Sequence, residues 1–445
     1  MPDNPYQSPP TAEKLGPRSP ASHIRWLIFL IACFTSFLTY VHRYAWGATR
    51  PYLKDEYNLT DADLGWLDGA FNLTYALGQF PGGLAGDVFG PRLMIPLAAV
   101  LWSVMMMGPA WVGGFWRLLA MRLGFGATQA PCYPSLGKIT KSWFPLSIRT
   151  SLQGFVATLS GRVGGAVAPL LIGVLLMGTL KMSWQSSLYA LASVGIFFAI
   201  GFWLLFRNHP VEHPWVNDTE CELIQGDEPE EGPGTKTRFN WSFAATSNLA
   251  LFMAASFCSS FADNLFVFYM PQFLVEEKGF TPAQMGTFAG LPILGGAIGG
   301  MLGGILNDVL IRVTGNRRFA RSFIASGGKV IAALLIGASL FAEDGRMVMV
   351  VLFFCKFFSD WSQPTWWGTV TDIGGPASGR VFGMVNTVGS IGATVAGPVM
   401  GYVLLGYGWS SLFLFVGGVY VLTAIFWAFV NCTRRLVIAE PESEH

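Results

Sequence analysis

The sequence predicts an all-α membrane protein with twelve transmembrane helices in two pseudo-symmetric six-helix bundles. Three observations predict it. Of 445 residues, 52% are hydrophobic and only 12% are charged, which is too apolar for a soluble globule. Twelve apolar runs reach the roughly 20 residues that cross a bilayer. A glycine-rich motif also occurs twice. Gly82-Gly83-Leu84-Ala85-Gly86-Asp87 ends one apolar run, and Gly303-Gly304-Ile305-Leu306-Asn307-Asp308 ends another; Arg92 follows the first, and Arg312, Arg317 and Arg318 follow the second. Duplication of that kind marks two homologous membrane-embedded halves, an organisation common among solute carriers.

The elements follow in order. Residues 1–22 are polar and Pro-rich, without a signal-peptide layout, and read as a disordered cytoplasmic tail. The first bundle occupies 23–206, with spans at 24–48, 64–86, 93–113, 116–137, 152–176 and 186–206. Residues 207–245 hold Glu212, Asp218, Glu220, Glu222, Asp227, Glu228, Glu230 and Glu231 among Pro and Gly, the composition of a solvated cytoplasmic linker. The second bundle fills 246–431, with spans at 246–272, 284–306, 323–341, 347–369, 381–403 and 410–431, and 432–445 is a cytoplasmic tail. With the N-terminus inside, seventeen Lys and Arg fall on the inner segments against six outside, Arg50 and Lys54 among the six. That asymmetry predicts a multi-pass protein of the cell membrane with both termini cytoplasmic. The six cysteines suggest neither a disulfide nor a metal site.

The repeat reaches further. Gly161-Arg162-Val163-Gly164 with Ala168-Pro169 matches Gly389-Ser390-Ile391-Gly392 with Ala396-Gly397-Pro398. Gly78, Gly82 and Gly86, and again Gly296, Gly300 and Gly304, form small-residue stripes that let helices approach closely. The pattern over 24–431 resembles the major facilitator superfamily. Gly83-x-x-x-Asp87-x-x-Gly90-x-Arg92 is similar to its loop between helices 2 and 3, with Val88 where a basic residue is usual. The resemblance implies a cytoplasmic charge latch at Asp87 and Arg92, with Asp308 in the second copy. Within the superfamily the chain resembles the anion:cation symporter group, which includes sugar-acid and vesicular glutamate carriers. Leu64-Gly65-Trp66, Gly69-Ala70-Phe71 and Tyr75 to Gly83 resemble its second helix; Arg122 to Pro134, Trp143-Phe144-Pro145 and Arg149 resemble the fourth; Thr371 to Gly375, leading to Gly383 and Asn386, resembles the loop between helices 10 and 11. A weaker likeness to organophosphate:phosphate antiporters lies in helices 1, 2 and 4.

Charges at bilayer depth cost about 2.5–3.5 kcal/mol each and mark function. Arg43 ends a polar stripe of Thr35, Ser36, Thr39, Tyr40, Arg43 and Tyr44 at helical spacing. A guanidinium there suits a carboxylate or phosphate, and the family's helix-1 Arg aligns with it. Arg122, Gln129 and Tyr133 share a face of the fourth span, where relatives often carry an Arg and, in place of Gln129, a Glu. Where sugar-acid carriers tend to have Asp-Arg, this chain has His42-Arg43. Both expected carboxylates are therefore absent. His42 either titrates in their place or sits neutral in the bundle.

An offset of 221 pairs Asp263 with His42 and Asn264 with Arg43, placing Asp263 opposite His42 as a site for a proton, for Na⁺ or for neutralising an Arg. Arg162 has no charged repeat mate, since Ser390 matches it, which favours function over packing. Lys356 and Asp360 lie one turn apart and can pair with each other. Gln363 with Trp361, Trp366 and Trp367 can serve a polyhydroxylated ligand. Asp68 is either a gating group or a solvated helix-start residue, and Lys329 lies close enough to the cytoplasmic end of the ninth span to snorkel, with no role assigned to it. The balance leaves a net positive interior that attracts anions.

These readings converge on a secondary active transporter of small organic anions, sugar acids foremost (hexuronate, aldonate or aldarate), working by alternating access with H⁺ or Na⁺ as coupling ion. Arg43, Arg122 and Arg162 grip the anion; Tyr40, Tyr44, Gln129, Asn264 and Gln363 read hydroxyls; His42, Asp263, Asp360 and Lys356 are coupling candidates; Asp68, Asp87, Arg92 and Asp308 gate. Organophosphate:phosphate exchange and a transporter-derived sensor are the alternatives. No Walker sequence, zinc-protease motif or nucleophile constellation is present, so no enzyme, cofactor, metal or nucleic-acid partner is expected. The lipid bilayer is the expected surrounding, and a monomer is the default for such a fold.

Overall fold

The computed structural model describes residues 20–225, 237–239, 242–375 and 378–439. In the first half α1 is Ile24–Tyr57. The helical stretch Asp61–Met107 breaks at Gly90, whose φ of 72° only a residue without Cβ adopts cheaply, into α2 (61–89) and α3 (91–107). α4 comprises Phe115–Gln129 and Cys132–Trp143, α5 covers 146–179, and α6 is Trp184–Leu205. In the second half α7 is Phe243–Glu276, α8 Pro282–Thr314 and α9 Arg317–Phe341. α10 comprises Gly345–Ser359 and Ser362–Gly374. Ser378–Phe429 divides at Gly408, φ 77°, into α11 (378–407) and α12 (409–429). The twelve expected spans are all helices.

Two local rules repeat in both halves. α4 and α10 are interrupted three residues before Pro134 and Pro364, because a proline cannot donate to the carbonyl four residues back. α1 and α7 end at left-handed residues, Asn58 and Gly279, and each is followed by a capping box, Thr60 with Asp63 and Thr281 with Gln284. Within the α1–α7 pair one feature is unshared: α7 contains a π-helical turn at Leu265–Tyr269, whereas α1 is α-helical throughout. A π turn accommodates one extra residue.

The halves meet tightly at the end remote from the termini. Lys54 of α1 binds Asp61 at 2.9 Å and Glu276 of α7 at 3.1 Å, and Gln272 donates to Asp61 at 2.6 Å. Backbones touch where glycines face each other: a Cβ on Gly65 of α2 would strike the carbonyl of Gly397 in α11, and one on Gly47 would strike that of Val267. Closer to the middle, Asn72 donates to Asn264 at 3.1 Å and to the Ala393 carbonyl at 3.0 Å.

In its described residues the connection between halves is less solvated than its composition suggests. A short helix, Asp218–Gln225, buries Glu220 completely. That carboxylate accepts from the backbone N–H groups of Ile24 and Arg25 at 3.0 Å each and from the Ser22 hydroxyl, so an acid of the linker caps α1. Strand β1 (Thr237–Phe239) pairs antiparallel with β2 (Val437–Ala439), joining the linker to the C-terminal segment. Much of the acidic run, Asp227 to Glu231, lies outside the described residues.

Candidate functional site

A cavity of about 370 Å³ lies between the halves. On one side it is lined by Tyr40, Arg43 and Tyr44 of α1, Asn72, Tyr75 and Gln79 of α2, and Arg162 of α5; facing them are Ser260, Asp263 and Asn264 of α7, Lys356 of α10, and Asn386 and Ser390 of α11. The polar stripe of α1 delivers its last members to the cavity. Its first members, Thr35, Ser36 and Thr39, are wholly buried against the bundle, Ser36 bonded to Tyr133 at 2.8 Å.

Arg43 sits in an aromatic box. Its guanidinium carbon is 4.4 Å from the Tyr75 ring centre, 5.0 Å from Tyr40 and 5.1 Å from Phe71. The rings hold the cation by their faces without neutralising it. It also donates to Gln129, whose Oε1 accepts at 3.3 and 3.4 Å and whose amide donates to the Thr39 carbonyl. Gln129 is buried and supports Arg43 from behind; it does not line the cavity as expected.

The opposite wall carries a closed charge network. Lys356 Nζ lies 2.5 Å from Asp263 and 2.6 Å from Asp360, and Arg162 reaches across from the first half to pair with Asp360. Asp360 occupies the break in α10, and its carboxylate meets both cations. Gln363 faces an adjoining chamber of about 170 Å³ with Ser256, Trp366 and Trp367, and this chamber shares Ser260, Asp263 and Asn386 with the main cavity.

Several expectations need correction. His42 does not face Asp263. It is fully buried on the other side of α1, where Nδ1 accepts from Trp102 Nε1 at 2.9 Å and Nε2 donates to the Leu191 carbonyl at 3.0 Å. Both nitrogens are used in a neutral tautomer, which is a structural arrangement. Arg122 is also off the cavity wall: it stacks 4.3 Å over Trp46 and donates to the Leu67 carbonyl, because its face of α4 turns toward α1 and α2 above the site. Asp68 is no solvated helix start. It is fully buried, held by Arg50 at 2.7 Å and Trp46 at 2.6 Å. Arg50 is no loop residue either, since α1 continues to Tyr57 and lays this guanidinium 3.8 Å over the Tyr269 ring of the other half. Lys329 does not snorkel; it is buried, donating to Ser359 at 2.9 Å.

The expected Asp87–Arg92 latch takes another form. Asp87 pairs with Lys138 of α4, within its own half, while Arg92 packs 5.2 Å over Trp203. Asp308 is exposed and accepts from the neighbouring Asn307. Sequence reasoning missed Asn72, Tyr75, Gln79, Ser260 and Asn386 as lining residues. Tyr75, Gln79 and Asn386 stood in quoted motifs, but nothing in those motifs aimed them inward.

A polar cavity between two homologous six-helix repeats, sealed at one end, is the architecture of an alternating-access carrier. The family model described as Major Facilitator Superfamily matches residues 32–394, and the chain belongs to that superfamily. It is a multi-pass membrane transporter, not an enzyme. It is 26% identical to the probable sulfoacetate transporter of Cupriavidus necator, covering 92% of this chain and 94% of that one. It is 26% identical to the probable galactarate/D-glucarate transporter of Bacillus subtilis, covering 96% of each. It is 27% identical to the hexuronate transporter of the same organism, covering 92% and 95%. In fold it is similar to a bacterial homologue of the lysosomal transporter Spinster, solved inward-facing and unoccupied, with a TM-score of 0.72 at 16% identity over 92% of this chain and 95% of that one.

Proposed function

We propose that the protein carries a sugar acid across the cell membrane, with its termini in the cytoplasm and the cavity presented there, by rocking the two halves about Arg43. The observation that carries this reading is a half-buried cation on the cavity wall that, among the described residues, meets aromatic rings and an amide and no carboxylate. A guanidinium so placed offers a substrate carboxylate two parallel hydrogen bonds. Tyr40, Tyr44, Asn72, Ser260, Asn264 and Asn386 surround it with groups that match hydroxyls. The relatives named for galactarate, glucarate and hexuronates support the same class. The orientation is supported by the basic residues concentrated near the termini side.

In this reading a driving proton is taken by Asp263, whose side chain is 30% exposed on the cavity wall, and not by His42, which is enclosed. Uptake of labelled glucuronate, galactonate and glucarate into proteoliposomes is the test. Arg43→Ala lowers uptake by on the order of 10- to 100-fold if the guanidinium holds the carboxylate. Uptake that survives the substitution removes Arg43 from the site. Uptake indifferent to an imposed and collapsed pH gradient removes the proton.

A further inference from the structure

We propose that the cavity selects sugar acids bearing one carboxylate, the aldonates and hexuronates, over the doubly charged aldarates. The inference rests on the sugar-acid reading and narrows it. The relatives do not decide the point, because they are named for both kinds: galactarate and glucarate carry two carboxylates, and a hexuronate carries one.

The charges on the wall decide it. Arg162 and Lys356 are committed to Asp360 and Asp263, so these two cations and two carboxylates close upon one another. Asp263 meets Lys356 at 2.5 Å as an ion pair. Lys329 stands behind the wall, 1% exposed, and bonds Ser359. Among the described residues lining the cavity, Arg43 alone keeps a cationic donor without an acid, and it has room for a single carboxylate fork. A sugar acid held at Arg43 extends its chain toward α7 and α11. There its far end meets Asp263, Asn264, Ser260 and Asn386. Hydroxyls or an aldehyde find partners in that set. A second carboxylate instead faces the carboxylate of Asp263, a like-charge contact of the kind that excludes wrong ligands.

The experiment is equilibrium binding to the purified full-length protein at neutral pH with no gradient, by calorimetry, using glucuronate, galactonate, galactarate and glucarate. The two monocarboxylates are expected to bind at least about tenfold more tightly than the two aldarates. Asp263→Asn, which removes the opposing charge and frees Lys356, is expected to raise aldarate affinity and narrow that gap. Asn386→Lys, which adds a cation beside Asp263 while keeping all four network residues, is the second variant and is expected to narrow it too. Aldarates binding the native protein as well as monocarboxylates do, or a gap unmoved in both folded variants, overturns the charge count while leaving the sugar-acid reading standing. Binding of neither class removes both.

Discussion

Helices α1 and α7 are repeat mates, yet they bring opposite charges to the cavity. Their ends agree at an offset of 221: left-handed Asn58 matches Gly279, and the capping residue Thr60 matches Thr281. On the cavity wall the agreement shifts to 220, so that Tyr40, Arg43 and Tyr44 face Ser260, Asp263 and Asn264. The π turn at Leu265–Tyr269 lies between the two registers and supplies the additional residue. One inserted residue thus sets Asp263 against Arg43 and leaves His42 without an acidic counterpart. The scaffold is shared between the halves; the chemistry lies where they differ.

Removing that difference is expected to have the largest effect. Deleting Val267 from the π turn rotates the preceding part of α7 by about 100° relative to the rest. Asp263 then leaves Lys356, and separating this partly exposed pair, with Lys356 still held by Asp360, costs less than the roughly 3–5 kcal/mol of a fully buried one. The melting temperature of the purified protein should fall accordingly and uptake should vanish; a stable, active deletion would show that the turn does not set the register. A smaller effect comes from His42→Ala, which strands the Trp102 N–H and the Leu191 carbonyl and costs about 1–3 kcal/mol. Stability should drop while the response of uptake to a pH gradient stays as it was. The reverse outcome, a lost response at unchanged stability, would return His42 to the coupling machinery. The mildest change is Tyr75→Leu, which takes one ring face from Arg43 at about 0.5–2 kcal/mol. The KM for the transported sugar acid should rise, and Tyr75→Phe, which keeps the face, should restore it.

Much of the fold was legible because hydropathy and the glycine motif are read residue by residue along one chain. Arg43 was legible for the same reason: its stripe has helical spacing, and that spacing fixes a face. The π turn was not, since Leu265-Phe266-Val267-Phe268-Tyr269 has no composition that separates it from an α-helical run, and an offset counted from the glycine motif hides a one-residue insertion. Arg50 was misplaced because its span falls in hydropathy near residue 48, whereas the helix continues to Tyr57 with its cation paired to Asp68. Arg122 shares a helix face with Gln129, but which neighbour that face meets is a tertiary fact. Glu220 looked like one acid among many until its position at the first N–H groups of α1 distinguished it.

The glycine contacts at the closed end, Gly65 against Gly397 and Gly47 against Val267, carry a consequence for sidedness. Atoms that fit this closely stabilise the closed arrangement by contacts that vanish when the halves part there. A solute arriving from that side meets only the minority of molecules already open to it, so its measured affinity is weakened by the inverse of their fraction, whereas a solute from the other side binds the resting form directly. Two membrane faces presenting identical chemistry would then report different half-saturation concentrations, and enlarging Gly65 to Ala would draw the two values together.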